Sequence, residues 1–214
     1  MIEIPKQTKD EDQRLKIFPK HIYLSKLNIT DDCLNSIDKY VSDFDMLLDN
    51  DDSQTKEQHL LDKEELHPLR EVILEKAKTY GSMMQLKYED LWVSNSWLNK
   101  MEGNPEGKNT GIHSHVHPNC LMAGCIYLTD NNSNLNFETS HVMDYHLFDS
   151  DTNDALDNFS IQPKKLQIII FPSQLPHSVD KVFKGVRKSI CFNIAPLGKF
   201  GMHNAYVNFS RYAS

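Results

Sequence analysis

Between Gly111 and Pro118 the chain reads Gly-Ile-His-Ser-His-Val-His-Pro, three imidazoles within five residues. On an extended strand, residues two apart project from one face, so His113, His115 and His117 would present their rings together. Neutral imidazole suits divalent transition metals, and two such rings on one face begin a chelate. A third ligand must then come from elsewhere in the chain. His177 is the best placed, in Phe171-Pro172-Ser173-Gln174-Leu175-Pro176-His177-Ser178-Val179, at a turn after the most apolar run. Two registers are open at this stage, His113 with His115 or His115 with His117. A solvent-facing histidine patch without a metal is the competing reading. His21, His59 and His67 read as surface or packing residues, while His141, His146 and His203 are ambiguous.

Charge narrows the chemistry. The 214 residues carry 23 Lys and Arg against 30 Asp and Glu, a net charge of −7. A general nucleic-acid or anionic-membrane binder needs the opposite surplus. No run approaches the roughly 18 apolar residues of a membrane span. The opening MIEIPKQTKDEDQRLK has no apolar core of a secretory signal. Cys33, Cys120, Cys125 and Cys191 form no CxxC pair, which suits free thiols in a reducing cytoplasm.

The elements that would position these groups follow from period and punctuation. Residues 1–16 read as a poorly ordered arm. Ile17 to Leu24 reads as an edge strand that tolerates Pro19. Thr30 is a helix N-cap followed by Asp31 and Asp32, and the apolar period predicts a helix from Asp31 to about Leu48. Residues 49–53 form an acidic loop. A second helix begins near Pro68 and runs to Tyr80, with Gly81 as its cap. Beyond it, short β-rich runs at 92–97, 121–128, 145–148, 166–171, 186–194 and 206–209 are separated by Asn, Asp, Gly and Pro clusters. Helices followed by many strands give an α+β chain of one domain, 1–214, with helical support over 17–90 and an all-β core over 91–210.

The order of parts around the histidines carries a resemblance. Trp97-Leu98-Asn99 is followed by His115-Val116-His117-Pro118, then Ala123-Gly124-Cys125-Ile126-Tyr127-Leu128, Leu135-Asn136-Phe137-Glu138, Phe171-Pro172, His177, and Arg187-Lys188-Ser189-Ile190-Cys191-Phe192-Asn193. This resembles the Fe(II)- and 2-oxoglutarate-dependent oxygenases, in an uncharacterised branch related to prolyl hydroxylases. The resemblance covers roughly Trp92 to Asn193. It implies a double-stranded β-helix, or jelly-roll, core with the N-terminal helices on one face. It further implies Fe(II) held by His115, His117 and His177. Arg187 would hold the far carboxylate of 2-oxoglutarate, aided by Ser189 and Tyr127. No catalytic residue beyond the metal centre is implied. The expected activity is hydroxylation of a peptidyl side chain or small molecule with O2, releasing succinate and CO2.

One departure stands out. Most such oxygenases carry a carboxylate two residues after the first histidine, and here that position is His117. A three-histidine set is also a zinc pattern. The alternatives are therefore a cupin-like three-histidine isomerase or hydrolase, or a non-catalytic jelly-roll binding module. Trp97 and Asn99 would line the substrate side, with core packing the stronger expectation for Trp97. Cys120 and Cys125 read as buried thiols. A homodimer is compatible with the sequence, which does not encode oligomeric state in any readable pattern.

Overall fold

The computed structural model describes residues 20–43, 46–49, 52–108, 110–130, 132–138, 158–200 and 207–209. The strands are β1 (Tyr23–Lys26), β2 (Met46–Asp49), β3 (Asp52–Thr55), β4 (Tyr88–Glu102), β5 (Ile112–His115) and β6 (Met122–Tyr127). They continue as β7 (Leu135–Glu138), β8 (Asn158–Ile161), β9 (Gln167–Pro172), β10 (His177–Val179), β11 (Val186–Phe200) and β12 (Val207–Phe209). Two helices, α1 (Asp31–Asp43) and α2 (His67–Met83), precede most of them. A large sheet runs in the order β1-β9-β6-β11-β4-β3-β2, with β12 paired to β11, and a four-stranded sheet runs β5-β10-β7-β8. The α+β jelly-roll expectation holds; an edge strand is present, but at Tyr23–Lys26 rather than over Ile17 to Leu24, of which residues 17–19 lie outside the described residues.

Period-2 alternation explains the layering. On β11, Ile190, Phe192 and Ile194 face a core shared with Leu61, Leu69, Ile73 and Ala77 of the helical layer. On β9, Ile168 and Ile170 face that same layer, while Ile169 and Phe171 face a second core with Phe137 and Val179 of the small sheet. One sheet thus carries helices on one face and the jelly-roll interior on the other. Gly124 makes the close approach possible. A Cβ there would sit 2.6 Å from both the Ile169 carbonyl and the Phe192 ring.

Thr30 caps α1 as expected, its Oγ1 accepting from the Cys33 N–H at 3.3 Å. The helix does not reach Leu48, however. It stops at Asp43, and Met46–Asp49 pairs with Asp52–Thr55, which docks on β4 through Gln54 opposite Asn99. Sheet extension overrides the apolar helical period here. Asp49 and Asp52, expected in a loop, are paired strand residues. The segment read as helical support therefore also supplies three strands.

Gly81 lies inside α2 rather than capping it. The turn is closed by Gln85 in the left-handed region (φ 53°), with Leu86 N–H donating to the Gly81 carbonyl and Gln85 N–H to Ser82. Gly81 instead lets the Tyr88 ring approach: a Cβ would meet its hydroxyl at 2.5 Å, so a larger residue would have to displace that side chain. The expected arm at 1–16, Pro19, the run at 145–148, and His141, His146 and His203 lie outside the described residues. No helix among the described residues is long and apolar enough to cross a membrane.

Candidate metal and co-substrate site

β5 ends at His115, directly opposite His177 on β10. The chain leaves the strand before His117, so three rings on one strand face is not what forms. His117 is instead pinned by its N–H, which donates to the Ser173 carbonyl at 2.8 Å in the turn leading to His177. The result is a cluster in which one ligating nitrogen from each of His115, His117 and His177 lies within 4.8 Å of the others. His117 Nε2 and His177 Nε2 are 3.2 Å apart. His113 sits on the cavity rim, outside that set.

The tautomers follow from the partners. His115 Nδ1 lies 2.9 Å from the His113 carbonyl, and His177 Nδ1 lies 2.9 Å from the Leu175 carbonyl. A carbonyl only accepts, so each Nδ1 carries the proton and each Nε2 keeps a bare lone pair. Burial, reinforced by the neighbouring His115, lowers the pKa of His117 to about 4. Burial above all lowers that of His177 to about 3. Both rings are neutral at pH 7 and so competent as ligands. Trp97 stacks on His117, with ring centroids 5.8 Å apart and planes at 24°. It therefore lines the site rather than packing in a core, a correction to the sequence reading.

The other end of the cavity is built by alternation on β11. With Ile190, Phe192 and Ile194 committed to the helical side, Arg187, Ser189, Cys191 and Asn193 face inward. Arg187 is only 1% exposed. Its Nη1 donates to Ser189 Oγ at 3.3 Å and its Nη2 to the Tyr127 hydroxyl at 3.4 Å, with the guanidinium 5.1 Å from the Tyr127 ring centroid. Its Nε has no partner. Among the described residues it forms no ion pair. A buried cation satisfied only by neutral hydroxyls is costly to desolvate. An anionic ligand entering the cavity would supply the missing charge.

The cavity joining the two ends has a volume of about 450 Å³ and is lined by the histidines, Trp97, Asn99, Arg187, Cys125 and Cys191 among others. Arg187, Ser189 and Tyr127 lie together as the sequence expects, and Asn99 also lines the cavity. Sequence reading missed Cys125, Cys191 and Gln54. Arg187 and Ser189 are two apart on one strand, and the same spacing extends directly to Cys191. No sequence signal places Gln54, which arrives on the β2–β3 hairpin.

Residues 95–193, just under half of the chain, match a family described as "Putative 2OG-Fe(II) oxygenase". Curated proteins give no match. Among solved structures, a Burkholderia pseudomallei oxidoreductase of the 2OG-Fe(II) oxygenase family superposes with a TM-score of 0.55 at 14% identity, covering 85% of this chain and 82% of that one. A Pseudomonas putida prolyl-4-hydroxylase gives 0.57 at 10% identity, covering 84% and 94%. HygX from Streptomyces hygroscopicus, solved with nickel, 2-oxoglutarate and hygromycin B, gives 0.55 at 10% identity, covering 83% of each chain. These likenesses establish a shared fold. Over residues 95–193 the chain is thus similar to the 2OG-Fe(II) oxygenases, and over most of its length it shares their fold.

Proposed function

We propose that the chain is a dioxygenase in which His115, His117 and His177 hold Fe(II). In this reading Arg187, Ser189 and Tyr127 hold the far carboxylate of 2-oxoglutarate. The observation that carries this reading is the buried, uncompensated Arg187, which shares one cavity with three converging imidazole nitrogens. When bound there, Fe(II) with 2-oxoglutarate and O2 would supply the oxidising chemistry, with succinate and CO2 as co-products.

The protein's part is positional. Two backbone carbonyls fix the orientation of His115 and His177, and Trp97 holds the plane of His117. The guanidinium fork accepts a carboxylate through parallel charge-assisted bonds, and Ser189 and Tyr127 steer it. The apolar walls keep water from that ion pair, so it is stronger than it would be at a surface.

The substrate is a peptidyl side chain or a small metabolite, and the net charge of −7 argues against a nucleic acid. The chain works as one cytoplasmic domain. A homodimer is compatible with this and is checked by light scattering. Iron-loaded protein given 2-oxoglutarate and O2 without substrate should release succinate slowly. Iron-loaded, folded protein that consumes no 2-oxoglutarate overturns the reading. The three-histidine set also fits zinc, which favours a hydrolase as the second reading. That enzyme's activity would survive Arg187→Ala.

A further inference from the structure

Cys125 on β6 lies directly opposite Cys191 on β11, both on the cavity side, with Sγ atoms 3.3 Å apart. Directly opposed residues on antiparallel strands have Cα atoms about 4.5 to 5.5 Å apart, inside the range a disulfide spans. The two sulfurs can therefore bond without moving the sheet. Cys33 has no thiol neighbour among the described residues, and Cys120 Sγ points at the His117 carbonyl at 3.5 Å.

We propose that Cys125 and Cys191 are a redox modification site, oxidised by a hydroperoxide to a disulfide in the floor of the cavity and restored by external thiols. The Cys191 sulfur attacks the peroxide oxygen and the O–O bond breaks. This leaves a sulfenic acid and, after proton transfer, one water from hydrogen peroxide. The Cys125 sulfur then attacks the sulfenic sulfur and expels hydroxide, which takes the Cys125 proton as a second water. Two thiols are oxidised by two electrons, and one peroxide is reduced. Two external thiols reverse it by exchange.

The surroundings assign the roles. Asn99 Nδ2 donates to Cys191 Sγ at 3.3 Å, and Ser189 Oγ lies 3.8 Å from it. The contact with Cys125, these donors and nearby Arg187 hold the Cys191 thiol below its ordinary value, while Cys125 is pushed up. Cys191 is thus the attacking sulfur and Cys125 the resolving one.

A consequence rests on the function proposed above. Along β11 and β4, Arg187 pairs with Met101, Ser189 with Asn99, and Cys191 with Trp97, the ring stacked on His117. The sulfurs therefore lie between the guanidinium and the histidines. A co-substrate reaching from one to the other covers them.

The experiment treats reduced, full-length protein with hydrogen peroxide, alkylates the remaining thiols and maps peptides by mass spectrometry without reduction. The expected product is one cross-link between the Cys125 and Cys191 peptides, reversed by dithiothreitol, with Cys33 and Cys120 alkylated. Cys125→Ser and Cys191→Ser, each compared with its own untreated sample, should give no cross-link involving the remaining cavity thiol. Independent sulfinic or sulfonic products, or two thiols that stay alkylable, overturn the proposal. A second arm adds 2-oxoglutarate and Mn(II) at about 100 times the dissociation constant, where cross-linking should slow about 100-fold. Cross-linking that proceeds unslowed supports the disulfide site while contradicting the co-substrate placement, so the two ideas fail separately.

Discussion

His177 faces His115 across the β5–β10 ladder, and each ring is oriented by a carbonyl two residues earlier in its own chain segment. The two rings lie 4.3 Å apart between centroids. A shared ladder makes their separation a property of the sheet rather than of a flexible loop. Replacing His177 with Ala should therefore abolish stoichiometric Fe(II) binding while leaving the fold intact, measured by metal content after desalting and by circular dichroism. Loss of His113 should leave metal content unchanged.

Arg187 is a buried cation with no ion pair among the described residues. Arg187→Met keeps the volume and removes a buried charge that has no anion. It should stabilise the ligand-free protein by about 1–4 kcal/mol, as replacement of buried charges by apolar residues often does. The same change should weaken 2-oxoglutarate binding about 10- to 100-fold, the value of charged hydrogen bonds worth about 1.5–3 kcal/mol. Thermal melts and calorimetric titration check the two halves.

The pH dependence of the metal-free protein follows from the histidines. Folded pKa values near 4 for His117 and near 3 for His177 lie below an unfolded value of about 6.5, so the unfolded chain binds protons first. Stability attributable to these rings is complete above about pH 6.5 and is lost as pH falls toward 4 and then 3. Each ring contributes a slope of roughly 1.4 kcal/mol per pH unit inside its window. Denaturant midpoints across pH 7 to 4 test this, and His177→Ala should flatten the curve.

The helical layer is predicted to matter to the site through the sheet. Ile73 is fully buried against the large sheet. Ile73→Ala should cost about 2–5 kcal/mol in urea unfolding. Gly124→Ala, which forces a methyl against Ile169 and Phe192, should cost about 1–3 kcal/mol by overpacking.

Much of this was legible in the residues. The alternation in Arg187-Lys188-Ser189-Ile190 has one solution once isoleucines must face a core, and it delivers Arg187 and Ser189 inward. Tyr127 came instead from the resemblance. Thr30 announced its helix through side-chain chemistry alone. What failed was non-local. Met46-Leu47-Leu48 continues a helical period, yet pairs as a strand with β3, which itself docks on β4 through Gln54 and Asn99. Gly81 looked like a cap, but the left-handed position fell to Gln85, and the glycine answers to Tyr88. The placing of His117 beyond its strand depends on Ser173, a partner no local period reveals.

In the proposed function three histidines and Arg187 hold iron and 2-oxoglutarate in one cavity. Anaerobic titration of the protein with Fe(II) and then 2-oxoglutarate, followed by visible absorption, tests it most directly. A weak metal-to-ligand charge-transfer band should appear only when both are present, saturate at one equivalent per chain, and require far more 2-oxoglutarate in Arg187→Ala. A folded, iron-loaded protein that shows no such band contradicts the claim.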